Sequence, residues 1–200
     1  MAQAAPSSDS QVWTEIDLTK AVSDRFTLTA TLADRLGDGL PNPTLWGGGL
    51  TGELRLSPNW SVGGGAYEVQ ARSASSGHRL DATLPLAYVT GAWEVAGMRL
   101  SNRNRIEDVL GVPGHPWRYR NRLQVDRPIE GLPPVRSIFA SDEVFYDFDH
   151  ERFSRNRAQV GVTLAPAGPA AIQIYYMRQD DAYARPGGLN ILGLSLKVDL

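Results

Sequence analysis

Three stretches in the middle of the chain place arginine at every second position. They read LSNRNRIED (residues 100–108), WRYRNRLQVDRP (117–128) and SRNRAQVGVTL (154–164). A strand sends alternate side chains to opposite faces. On that spacing Arg99, Arg103, Arg105 and Glu107 share one face, as do Arg118, Arg120, Arg122, Gln124 and Asp126, and as do Arg155, Arg157 and Gln159. The opposite faces carry Met98 and Leu100, then Tyr119, Leu123 and Val125, then Val160, Val162 and Leu164. A guanidinium fork matches carboxylates and phosphates, so the charged faces could attract anions. Enclosed without partners they would be costly, and Glu107, Asp126 and Glu143 lie on or near the same faces to pair with them.

Two other groups could do chemistry. His78, His115 and His150 fall between apolar segments, and Asp147, Asp149 and His150 form the run DFDH. A carboxylate beside a histidine can activate water, and three loop histidines with nearby acids could bind a metal. No serine sits in a Gly-x-Ser-x-Gly turn, so acyl chemistry of that kind is not expected. The glycine runs 47–49 and 63–65 lack the Lys-Ser/Thr and the following helix of a phosphate loop. They read as glycines that let a strand bend or pack closely.

The elements that must carry these residues are strands. Helical periodicity is nearly absent, and period-2 alternation recurs with turn residues between. Eleven strands are predicted: 11–19, 25–36, 45–57, 60–71, 78–89, 92–108, 117–127, 136–147, 154–164, 170–180 and 189–200. Each meets the roughly 9–11 residues that a tilted strand needs to cross a bilayer. Connections alternate between short (20–24, 57–59, 90–91, 165–169) and longer (37–44, 72–77, 109–116, 148–153, 181–188), as in barrels with short periplasmic turns and long outer loops. The connection 129–135 is long where a short one is expected. Phe26, Trp46, Trp60, Tyr88, Trp93, Trp117 and Tyr176 sit near strand ends and are expected to form interfacial girdles. Glu94 falls on the face of Met98 and Leu100, which a bulge near Gly97 would repair.

A soluble β protein turns its apolar faces inward. Charged faces this dense and regular describe the inverse, polar inside and apolar outside, which is a membrane β-barrel. The expected fold class is therefore all-β: one antiparallel transmembrane β-barrel of about 10–12 strands spanning residues 11–200. Eleven strands sit uneasily with the usual even number. The first segment could pack elsewhere, a twelfth strand could exist, or residues 1–10 could thread the lumen. That segment, MAQAAPSSDS, lacks the features of a signal peptide and reads as a flexible mature N-terminus preceded by an added methionine.

Composition agrees. The formal net charge of -2 argues against a nucleic-acid partner. Absence of cysteine rules out disulfides and thiolate metal sites. Twenty glycines and thirteen prolines suit strands joined by turns rather than helices. No apolar run approaches the roughly 20 residues of a membrane helix, a test that barrel strands escape because only alternate residues face lipid.

The motifs LSNRNRIED, WRYRNRLQVDRPI, FASDEVFYDF, FSRNRAQVGV and IYYMRQDD, taken in order, resemble the bacterial family known as domain of unknown function 2490. The resemblance runs from about Gln11 to Leu200. It implies an envelope barrel in the bacterial outer membrane and supplies no established activity. The alternating tail 192–200 resembles the C-terminal assembly signal of such barrels, although it closes on Leu200 where an aromatic residue is usual.

The expected function is an outer-membrane barrel with an Arg-rich polar lumen. It is either a narrow, porin-like pore preferring anions or a plugged structural barrel. The lumen and anion-binding set is Arg99, Arg103, Arg105, Glu107, Arg118, Arg120, Arg122, Asp126, Glu143, Arg155 and Arg157. In an open lumen Arg120→Glu would lower anion selectivity. Expected partners are outer-membrane lipid, the barrel-assembly machinery and small anionic solutes, with no cofactor and no metal. Two alternatives stand beside this reading: an outer-membrane hydrolase working at the loop face through Asp147, Asp149 and His150, and a soluble calycin-like barrel that binds a ligand.

Overall fold

The computed structural model describes residues 8–37, 42–72, 79–112, 116–165, 168–183 and 187–200. They form eleven strands: β1 (Ser8–Ala21), β2 (Phe26–Gly37), β3 (Asn42–Arg55), β4 (Trp60–Arg72), β5 (Arg79–Val95), β6 (Met98–Asp108), β7 (Trp117–Pro128), β8 (Val135–Asp147), β9 (Arg152–Leu164), β10 (Ala170–Asp181) and β11 (Gly188–Asp199). Each pairs antiparallel with its sequence neighbour, and β1 closes the barrel against β11. No helix occurs among the described residues.

The closure resolves the odd strand count. In an up-and-down chain of eleven strands the first and last run the same way, so their seam must be parallel. The register is continuous from Ser8 opposite Gly188 to Thr19 opposite Asp199. The first segment is thus part of the wall, and neither a ten-strand wall nor a twelfth strand is needed. Strand pairing begins at Ser8, ahead of the expected Gln11, and residues 1–7 lie outside the described residues.

The boundary between the fifth and sixth strands differs most from the sequence reading. The fifth strand runs on through residues 90–91 to Val95, and the sixth begins at Met98. The turn is the pair Ala96 and Gly97, with φ of 51° and 74°. Positive φ at both central residues is the two-residue hairpin geometry that matches strand twist. The feature near Gly97 is therefore a turn rather than a bulge. It puts Glu94 opposite Arg99 on one face and leaves Met98 on the other.

Side-chain parity is set by burial. The apolar face of β1 carries the half-exposed Ile16 and Leu18, while Trp13 on the other face is buried. β5 inverts the expected rule. Its row containing Ala82, Leu86 and Tyr88 faces the lumen, where Ala82 and Leu86 are buried. Val89 and Trp93 are on the outside. Tyr88 is consequently no girdle residue. Its ring lies over Gly63, directly opposite in the register, where an added Cβ would come within 2.3 Å of it. Tyr67 covers Gly49 and Tyr175 covers Gly193 in the same way. The glycines make room for rings laid flat against the inner wall, in keeping with close packing.

Four of the expected girdle residues lie on the outer surface near the strand ends, whereas Tyr176 lies outward at mid-strand on β10. Trp60 and Trp93 meet edge to face, 5.4 Å apart, at the end where β5 turns into β6. Trp46 and Trp117 are exposed towards the opposite end. Aromatic belts at both interfaces flank the apolar band of such barrels.

Candidate functional site: a charged core inside the barrel

The inner face of β8 runs Phe139, Ser141, Glu143, Phe145 and Asp147. The register sets Glu143 opposite both Arg122 and Arg157, and Phe145 opposite both Arg120 and Arg155. Across β6 and β7, Arg103 faces Arg122 and Arg105 faces Arg120. Like charges directly opposite are destabilising, so carboxylates have to reach between them. Arg120 donates from Nη2 to both Glu143 oxygens (2.9 and 3.0 Å) and from Nη1 to Glu107 Oε2 (3.2 Å). Arg105 Nη2 lies 2.5 Å from Glu107 Oε2, and Arg118 Nη1 lies 3.6 Å from Oε1. Arg103 and Arg157 reach Glu143 at 3.6 and 3.7 Å. Two acids thereby bind five arginines.

The rings complete the core. Phe145 is only 1% exposed, and Arg120, Arg157, Arg155 and Arg118 lie 4.5, 4.8, 5.4 and 5.9 Å from its centroid. Arg157 also lies 4.9 Å from the ring of Trp13 on β1, three strands along the wall, and Arg35 lies 3.9 Å from that ring. Guanidinium planes over aromatic faces are attracted by the ring quadrupole. A bulge at Ser154 aims β9 correctly. Phe145 pairs with Arg155 but Tyr146 with Phe153, so one extra residue lets Phe153 face outward and Arg155 inward.

These contacts run in a ring round the inner wall of the barrel. From Trp13 they run through Arg157, Glu143, Arg120, Glu107 and Arg105 to Tyr67 on β4, 5.5 Å from the guanidinium. Tyr67 donates a long 3.5 Å bond to Thr31 on β2, and Thr31 donates to Asp17 on β1 at 2.7 Å. Beside this circuit Arg118 Nε donates to Asp147 at 2.8 Å, Arg155 Nε to Asp181 at 2.7 Å, and Arg157 Nε to Gln179 at 2.8 Å. Arg122 is held by Gln159 at 3.2 Å.

Of the eleven expected lumen residues, nine gather in this core. Arg99 and Asp126 do not. They face each other across β6 and β7 near the turn-side end. Asp126 accepts from Gln124 at 2.8 Å. Arg99 lines a cavity of about 670 Å³ there, together with Arg25, Arg55, Glu53, Thr27 and Ser61. Alternation alone gave these two the correct face but not the height along the barrel.

Sequence reasoning missed Phe145, Trp13, Asp147 and Asp181 as members of the core. Phe145 and Asp147 share the parity of Glu143, a signal that was available. The run DFDH is split by its backbone. Asp147 turns into the lumen towards Arg118, whereas His150 is at the exposed rim with its ring 4.8 Å from that of Tyr183. The catalytic grouping of Asp147, Asp149 and His150 is not assembled. His78 and His115 lie outside the described residues. Among the described residues no three His, Asp or Glu side chains cluster as metal ligands.

The chain belongs to the family described as protein of unknown function DUF2490, whose model matches residues 10–186. No curated protein matches. Among solved structures, LpxR from Salmonella typhimurium is similar over 86% of this chain and 83% of its own, at 9% identity and a TM-score of 0.55. The β domain of the Bordetella autotransporter BrkA matches over 88% and 82%, at 11% identity and a TM-score of 0.45. OmpT of Vibrio cholerae matches over 78% and 54%, at 11% identity and a TM-score of 0.41. The first of these likenesses establishes an outer-membrane type of barrel fold and nothing finer.

Proposed function

We propose that this member of the family is an outer-membrane barrel whose Arg-rich lumen is closed by its own charged core, a structural barrel rather than a conducting pore. The carrying observation is the burial of this core, whose contacts run in a closed ring round the inner wall from Trp13 back to Asp17 on β1. A pore-lining group must meet water, yet Glu107 and Glu143 are 2% and 5% exposed and Phe145 is sealed among four guanidiniums. Each acid holds several arginines at once. Such a network sets barrel shape, and breaking it would strand buried charge. The lipid of the outer membrane and the barrel-assembly machinery are its partners on this reading.

Planar-bilayer recording of refolded protein tests this. Wild type is expected to insert without discrete conductance steps, with insertion confirmed by protease protection. Phe145→Ala should introduce steps that favour anions, because arginines outnumber acids around the vacated ring. Anion-selective steps from wild type would replace the closed barrel with the pore.

A further inference from the structure

The outer face of β6 and β7 carries a cluster of amides between apolar side chains of the lipid-facing wall. Asn102, Asn104 and Asn121 point outward, between Ile106 and Leu123, which are 40% and 45% exposed. They form a carboxamide cluster. Asn121 Nδ2 donates to Asn102 and Asn104 at 3.2 and 2.9 Å, Asn104 Nδ2 to Asn102 at 2.8 Å, and the Tyr119 hydroxyl to Asn104 at 2.6 Å. On β8 the outward Asp142 is one strand further along the same row, opposite Leu123, and accepts from Asn156 of β9 at 2.9 Å.

Depth decides what can meet this cluster. Asn102 lies six residues from the loop-side end of β6 and four from the other end. At about 3.3 Å rise and about 40° tilt those are roughly 15 and 10 Å along the membrane normal. Lipid headgroups lie outside the apolar band, and acyl chains offer no hydrogen bonds. Another protein wall can supply them at that height.

We propose that β6–β9 is the contact face of a dimer with a second copy of this chain. A two-fold axis along the membrane normal, between β7 and β8, sets β7 of one copy against β8 of the other and β6 against β9. Asn121 and Tyr119 then approach Asp142 of the other copy, and Asn102 and Asn104 approach Asn156. Carboxamides meet a carboxylate and carboxamides, so donors meet acceptors on both sides of the axis. Isologous contacts require this self-complementarity, and hydrogen bonds between membrane segments hold such contacts together. The inference rests on the transmembrane placement of the wall and is independent of whether the lumen conducts.

The chain has no cysteine, so single thiols can map the contact in vesicles of outer-membrane lipid. Leu123→Cys, beside the axis, should form a disulfide-linked dimer under mild oxidation. Leu50→Cys, on the exposed wall of β3, should not. The combined variant Asn102→Leu, Asn104→Leu and Asn121→Leu should weaken association by at least about tenfold in single-molecule photobleaching counts. A heat-modifiable gel shift verifies that each variant is folded. Equal cross-linking at both positions, or wild type monomeric at every protein-to-lipid ratio, would overturn the dimer. So would a folded triple variant that associates as wild type does.

Discussion

The wall β6–β9 and the wall β2–β4 solve opposite problems with the same pleat. The first is charged inside and carries carboxamides outside. The second lines the lumen with threonine and glycine and exposes Leu32, Leu50 and Leu54 to lipid. The difference shows how a small barrel encloses long guanidinium side chains. Arg105 and Arg120 extend inward from one wall, and the opposite wall stays thin to receive them. Gly49 and Gly63 let Tyr67 and Tyr88 lie flat, and Tyr67 then becomes the surface against which Arg105 rests. Bulk on one side is matched by its absence on the other, as close packing of an interior requires.

The comparison breaks most severely at Glu143. Glu143→Ala leaves Arg103, Arg120 and Arg157 without their shared acid inside the barrel, and loss of one partner from a buried ion pair costs about 3–5 kcal/mol. Equilibrium unfolding in urea from lipid vesicles should record that loss. A change under about 1 kcal/mol would mean that water reaches the core and screens it. The thin wall is tested by Gly49→Val. A Cβ there would come within 2.5 Å of both the Tyr67 ring and the Ala66 carbonyl oxygen. Overpacking of this kind should cost about 1–3 kcal/mol in the same assay, with loss of the near-ultraviolet dichroism of tyrosine. The smallest effect is expected at Thr29→Val. It removes the 3.1 Å contact between the Thr19 and Thr29 hydroxyls on β1 and β2. That should cost about 0.5–1 kcal/mol. A cost at Thr29 equal to that at Glu143 would erase the distinction between the walls.

Much of the fold was legible because a strand writes its orientation into every second residue. Ile16 and Leu18 against Trp13, and Leu192 and Leu194 against Ser195, announce a lipid face and an inner face without any tertiary information. Eleven such segments with alternating short and long connections already imply an up-and-down barrel. Parity failed where the lumen itself is apolar. The row Ala82, Leu86 and Tyr88 reads as lipid-facing, and only enclosure by β4 and β6 turns it inward. At β9 parity holds from Ser154 onward but would mislead if carried further back, because the bulge at Ser154 puts Phe153 and Arg155 on opposite faces despite their shared parity.

The sequence by itself determined the strands, their faces and the accumulation of arginine on one side of three neighbouring strands, because those properties are local and repeat every two residues. The tertiary structure alone decided that β1 joins the wall and closes it against β11, and that Trp13 meets Arg157. It also decided that Phe145 is buried among four arginines, and that Arg99 and Asp126 stand apart at the far end. These depend on register between strands and on height along the barrel. Both are fixed by the closure of the whole wall, and alternation within one strand carries no information about either.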